Sequence, residues 1–291
     1  MRNTGSNRPL GRISWMKSII LLLLLSIVGT APVSGQLTAA KNANVAMGHH
    51  HVNVTDIEAH KRFWGELLGG TLTKLGPIEV VKFPNVLVFL RQREPSGGNR
   101  GTTVNHIGFH VKELQPMIDK LKQAGVDIIT RTELGAATSD IYRPNQNTSL
   151  AFVLGPDEIK VELLENALQQ EPIVNHHIHF YGPDVPGTKA WYVKMFEAEP
   201  GMRGSFQAAD VPGVNLTFSS SEQPVVGTQG RVLDHIGFEI KNLEAFCKKL
   251  EGMGVKFDRP FRRIDSLNIS IAFFTDPWGT YIELTEGLDA M

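Results

Sequence analysis

The sequence predicts an α+β fold built from four copies of one strand–helix–strands unit, arranged as two tandem halves. Three observations carry this expectation. The chain repeats itself in one register; each repeat passes from strand-like to helix-like periodicity and back; and the opening strands divide into an apolar face and a histidine-bearing face. With 291 residues, 42% of them apolar, the chain is long enough for two ordinary cores. Its 20% charged and 8% aromatic content is not that of a disordered chain. The balance of 29 Lys+Arg against 30 Asp+Glu lacks the basic excess that drives nucleic-acid binding. A single cysteine excludes an intrachain disulfide and a thiolate zinc site.

Residues 1–35 stand apart. They hold Arg2, Arg8, Arg12 and Lys17 with no acid, then an apolar run from Ile19 to Val28, then a small-residue exit through Ala31, Pro32, Ser34 and Gly35. A basic start, a short apolar run and a small-residue exit compose a secretory signal peptide, and the run is too short for the ~20 residues of a membrane span. Cleavage near Ala31 or Gly35 is expected to release an exported protein with no stable membrane anchor. Its 25 basic and 30 acidic residues leave it mildly acidic.

The remaining chain is duplicated. The segment Val104 to Val111 (Val-Asn-His-Ile-Gly-Phe-His-Val) matches Leu233 to Ile240 (Leu-Asp-His-Ile-Gly-Phe-Glu-Ile), and Leu121, Gly125 and Val126 match Leu250, Gly254 and Val255 in the same register. Phe83 to Phe89 pairs with Val211 to Thr217, His49 to Val54 with His177 to Gly182, and Glu158 to Glu165 with Gly279 to Glu286. Four of these five blocks keep an offset of 128 or 129 residues, which points to duplication. After a linker at 36–45, the first half is 46–166; a second linker, 167–173, leads to the second half, 174–288. Within them, helices are expected from Asp56 (the N-cap) to Leu68, Leu114 to Ala124, Pro186 to Glu199 and Leu243 to Met253. Gly69-Gly70, Gly125 and Gly254 stop three of them.

Strands send alternate side chains to opposite faces. Ile236, Phe238 and Ile240 oppose His235, Gly237 and Glu239; Ile107, Phe109 and Val111 oppose His106, Gly108 and His110. Ile178 and Phe180 oppose His177, His179 and Tyr181; Val52 and Val54 oppose His49, His51 and Asn53. In the closing strands, Ile282 and Leu284 oppose Tyr281 and Glu283, and Val161 and Leu163 oppose Lys160 and Glu162. The apolar faces belong under the helices. Clustered imidazoles with a carboxylate on the other face suit one divalent first-row ion: iron, manganese, zinc, nickel or cobalt. His50, His60 and His176 read as core or surface residues, and Cys247 as a packing residue. The four Asn-x-Ser/Thr sequences, at Asn53, Asn147, Asn215 and Asn268, fall mostly in strand-like segments and carry little weight as glycosylation acceptors.

The opening strands with His-Ile-Gly-Phe and the closing Asp276-Pro277-Trp278-Gly279-Thr280-Tyr281-Ile282-Glu283 resemble the vicinal oxygen chelate (VOC) superfamily, across essentially all of 46–288. That superfamily includes glyoxalase I, extradiol ring-cleaving dioxygenases, methylmalonyl-CoA epimerase, fosfomycin-resistance enzymes and metal-free bleomycin-binding proteins. The resemblance implies two tandem domains, each of two βαβββ modules around a cleft, in a monomer or a module-swapped homodimer. It implies metal ligands His177, His235 and Glu283 in the second half, and a weaker set, His49, His106 and Glu162, in the first. Lys160, on the face of Glu162, is expected to compete with a cation there. Glu239 and Tyr281 are the expected proton-moving catalytic groups. The place of a fourth glyoxalase I ligand holds Asn215 or Leu87, and the tyrosine and histidine of ring-cleaving enzymes align with Phe273 and Ile264. The implied function is an exported metalloenzyme acting on a small oxygen-rich substrate by dioxygenase-like or lyase/isomerase chemistry. The alternative is a small-molecule binding protein of the bleomycin-resistance type, metal-free or with a structural metal.

Overall fold

Seventeen strands and five helices follow one another in the computed structural model, which describes Leu37 and residues 39–291. The expected export segment lies outside the described residues. The first module runs β1 (Val45–Val54), α1 (Ile57–Lys61, continued by a π-helical turn, Arg62–Leu67), β2 (Thr71–Leu75), β3 (Ile78–Phe83) and β4 (Val86–Gln92). The second has β5 (Val104–Val111), α2 (Leu114–Gln123), β6 (Asp127–Ile128), α3 (Thr130–Glu133), β7 (Tyr142–Asn145), β8 (Thr148–Leu154) and β9 (Lys160–Glu165). The third has β10 (Ile173–Gly182), α4 (Val185–Phe196), β11 (Glu199–Arg203), β12 (Phe206–Val211) and β13 (Val214–Ser220). The fourth has β14 (Leu233–Ile240), α5 (Leu243–Gly252), β15 (Phe257–Ile264), β16 (Ile269–Thr275) and β17 (Tyr281–Glu286).

Local chemistry sets the helix ends. The Asp56 carboxylate accepts from the backbone N–H groups of Glu58 and Ala59, which have no partner inside the helix. Gly125 and Gly254 take φ of 82° and 95° just beyond α2 and α5, a backbone turn that a side chain would strain.

The four modules form two mixed sheets, the α+β arrangement expected from the sequence. The order of strands departs from a pairing of neighbours along the chain. One sheet runs β15-β16-β17-β14-β1-β4-β3-β2, and the other β11-β12-β13-β10-β5-β9-β8-β6. The first module therefore joins the fourth, and the second joins the third. Each sheet draws one module from each half of the sequence, so neither sequence half owns a sheet. At each centre two opening strands meet antiparallel: β1 on β14, and β10 on β5.

The apolar faces of the opening strands lie under the helices, as expected. Ile236, Phe238, Ile107, Phe109, Ile178, Phe180, Val52 and Val54 share one buried cluster with Phe63, Trp64, Leu114, Leu121, Tyr192, Phe196, Leu243 and Leu250. A smaller cluster, including Leu87, Phe89, Ile271, Phe273 and Tyr281, lines the opposite, histidine-bearing face of the first sheet.

Candidate functional site

The central strand pairs bring the histidines together. In the first sheet His49 lies opposite Gly237 and His51 opposite His235, while Gly237 has Glu283 beside it on parallel β17. In the second sheet His177 lies opposite Gly108, His179 opposite His106, and Gly108 has Glu162 beside it. The glycine of the His-Ile-Gly-Phe stretch makes room for the opposing ring. A Cβ on Gly237 would lie 2.0 Å from His49 Cε1, and one on Gly108 would lie 1.9 Å from His177 Cε1.

Two clusters result: His49, His51, His235 and Glu283, and His106, Glu162, His177 and His179. In each, ligand atoms of all four side chains lie within 4.8 Å of one another. The sequence expected His177 with His235 and Glu283, and His49 with His106 and Glu162. The structure exchanges His177 and His49 between those sets, because β10 pairs with β5 and β1 with β14. It also adds His51 and His179, the next residues of the same strand parity.

In the first cluster, Glu283 Oε2 lies 2.9 Å from Nε2 of both His49 and His235. The His235 Nδ1–H donates to Asp234 Oδ1 at 2.6 Å, and Asp234 Oδ2 accepts from Asn53 Nδ2 and the Gly230 N–H. A carboxylate behind an imidazole fixes its tautomer and raises its basicity. Burial opposes a charge on His235, but Asp234 and Glu283 outweigh it and raise its pKa. Burial likewise acts against the Glu283 charge, yet His49 and His235 hold its carboxyl well below the usual range. Burial keeps His49 and His51 in the neutral form that ligates metal. His51 Nε2 and His49 Nδ1 are buried without a hydrogen-bond partner among the described residues. Three imidazoles and an ionised carboxylate converging in this way fit a first-row divalent ion.

A cavity of about 500 Å³ opens on this cluster. Phe89 lies edge-on to His49 at 4.9 Å, and Phe273 and Tyr281 lie edge-on to His235 at 5.5 and 5.6 Å. Ile264 and Phe273, the positions aligned with the dioxygenase histidine and tyrosine, are apolar wall residues here. Tyr281 faces the cavity, and burial raises its phenol pKa.

Glu239 does not face the cavity. Its carboxylate accepts from the Thr285 hydroxyl and from the N–H groups of Gly287 and Leu288, so it ties the last turn to β14. Its expected role in proton transfer is thereby corrected: all of these donors are structural.

The second cluster has different surroundings. His106 and His177 place Nε2 at 3.0 and 2.9 Å from Glu162 Oε2, but the residue behind His106 is Asn105, at 2.9 Å. Burial takes both imidazoles down to about 4 against the pull of Glu162. Lys160 does not bind Glu162, contrary to expectation: its ammonium donates to Asn105 and Glu133. Arg203, from β11, is the cation that reaches Glu162, at 4.0 Å. Asn215 lies beside His177 on β13, but its amide is engaged by Asp210 and Thr217. His110 stacks on His176 at 3.7 Å, and His60 bridges Trp64 and Asp157. His50 is buried on β1. Asp234 and Arg203 were missed in the sequence. Asp234 was legible as the partner of Asn105 in the repeat, whereas nothing in the register marked Arg203.

Comparisons with known proteins agree with this architecture. The sequence profile described as Glyoxalase/Bleomycin resistance protein/Dioxygenase superfamily matches residues 46–163 and 131–284. Glyoxalase I from Zea mays superposes with a TM-score of 0.65 at 16% identity, covering 86% of this chain and 95% of that one. A Bacillus subtilis protein provisionally assigned as a dioxygenase superposes with a TM-score of 0.59 at 12% identity, covering 83% and 84%. No curated protein sequence matches.

Proposed function

We propose, because the chain belongs to the Glyoxalase/Bleomycin resistance protein/Dioxygenase superfamily and gathers three histidines and a glutamate at the floor of a cavity, that it is a divalent-metal enzyme acting on a small substrate with two adjacent oxygens. The convergence of His49, His51, His235 and Glu283 on that cavity is the observation that carries this reading. His49, His51, His235 and Glu283 would hold the ion and leave room on it for the two oxygens of a chelating substrate. A bound ion would supply Lewis-acid stabilisation of negative charge on substrate oxygen. The chain's residues do the rest. Asp234 holds His235 in the tautomer that presents Nε2 to the site. Phe89 and Phe273 exclude water beside the ligands. Tyr281, protonated at neutral pH, is placed to donate a hydrogen bond or proton to substrate.

Dioxygenase-like and lyase/isomerase chemistry share this site. Oxygen uptake with Fe(II) and a vicinal diol identifies the first. Anaerobic turnover of a 2-oxoaldehyde adduct with Zn, Ni, Co or Mn identifies the second. We read residues 1–35 as an export signal, which places the enzyme outside the cytoplasm. From the sequence we keep a small-molecule substrate, no nucleic-acid partner, and a monomer or module-swapped homodimer as the expected state.

The decisive test is mass-spectrometric metal analysis of the wild-type protein and His235→Ala. The wild type is expected to carry a first-row ion and the variant to lose it together with turnover. A wild type that takes up no such ion overturns the enzyme reading and leaves a binding protein.

A further inference from the structure

We propose that the cavity at His49, His235 and Glu283 takes an apolar anion: a molecule with an aromatic or aliphatic body, two adjacent oxygens at the ligand end, and a carboxylate, sulfonate or phosphate group held by Arg259. The proposal deepens the reading of this cavity as the active site.

The walls determine the body. Phe89 on one side and Phe273 on the other flank the ligand histidines, and Ile271 and Leu75 extend these walls. Such walls favour carbon over water. A strongly hydrated, all-polar substrate would lose its hydration there without compensation.

The charge follows from which groups are already paired. Three acidic side chains line the cavity, and each is engaged: Glu283 by His49 and His235, Asp234 by His235 and Asn53, and Glu79 by Lys74 at 2.6 Å. Three arginines line it too, Arg91, Arg93 and Arg259, and none makes an ion pair among the described residues. Arg259 is the best placed. Its guanidinium lies 5.1 Å from the centroid of Phe273, whose ring is 5.5 Å from that of His235. One phenylalanine ring thus separates the cation from a ligand histidine. An anionic group on a substrate that covers Phe273 would meet the exposed guanidinium of Arg259 at the edge of the cavity, where two parallel charge-assisted hydrogen bonds can hold it. The second cluster makes the contrast: there the arginine, Arg203, is drawn onto the cluster's own glutamate.

The experiment compares two dyes that share one ring system, 8-anilinonaphthalene-1-sulfonate and uncharged N-phenyl-1-naphthylamine, by fluorescence titration of the full chain. The sulfonate is expected to bind about tenfold tighter than the neutral dye. Arg259→Gln should remove most of that margin. Arg262→Gln, on the same exposed strand but outside the cavity lining, should keep it. Equal affinity for the two dyes, or the same loss in both variants, overturns the proposal. Failure of the metal reading is separately visible: protein that takes up no metal yet keeps the Arg259-dependent margin refutes the enzyme and leaves the anion pocket standing.

Discussion

At two positions a missing methyl group decides whether a histidine can enter its cluster. Gly237 and Gly108 lie under the rings of His49 and His177, and no side chain fits between. Gly237→Ala is expected to displace His49, lowering metal affinity and destabilising the fold by about 1–3 kcal/mol through overpacking. Urea denaturation and metal titration together check this, and unchanged values in both would contradict it. Titration provides a second test at this scale. His106, His177 and His110 are held near 4 and His50 near 3, chiefly by burial, so the unfolded chain binds more protons than the folded one below pH 6.5. Glu283 and Glu162, held below the carboxylate range, add a loss in the same direction at more acidic pH. His235 acts oppositely: its raised pKa adds stability below 6.5 that fades as pH rises through its folded value. The depressed groups outnumber it. The urea midpoint of chelator-treated protein should therefore fall from pH 7 to pH 4.5, and a flat or rising midpoint would contradict the assignment. Much of this was legible, since strand parity put His49, His106, His177, His235, Glu162 and Glu283 on the face away from the helices. The role of Glu239 was not, because parity says nothing of the backbone N–H groups that the next turn brings to it.

The strands determine which cluster is the better cation site. The dipeptide before the repeated Ile-Gly-Phe is Asp234-His235 in β14 and Asn105-His106 in β5, and only the first places an anion behind its ligand. The hairpin of β11 and β12 adds to the difference, placing Arg203 against Glu162 and Phe206 edge-on to His179 at 5.2 Å. A fixed positive charge beside a ligand carboxylate opposes a divalent ion. Wild-type protein is thus expected to hold one tightly bound zinc ion per chain in equilibrium dialysis, and Arg203→Ala to gain a second. Failure of the variant to gain one would show that Arg203 is not what weakens the second cluster. Four of the five helices were readable from caps and glycine stops, with bounds that moved by only a few residues, whereas the one-turn α3 was not expected. Hairpin contacts such as this one depend on sheet curvature, which no local pattern encodes.

Across the whole molecule, the duplication was visible in the sequence and the pairing of its parts was not. The repeat shows that the first two modules resemble the last two. It does not say which edges meet, because all four opening strands carry the same apolar face and accept any of the others as an antiparallel neighbour. The fold pairs first with fourth and second with third, so each His/Glu cluster takes side chains from both halves of the chain. The measurement that tests this most directly is the metal content of His49→Ala, His235→Ala and His177→Ala, each compared with wild type. Loss of the tightly bound ion in the first two variants and its retention in His177→Ala is the expected result. If His177→Ala loses the ion along with His235→Ala while His49→Ala keeps it, the centre is built within one half of the chain and the account is wrong.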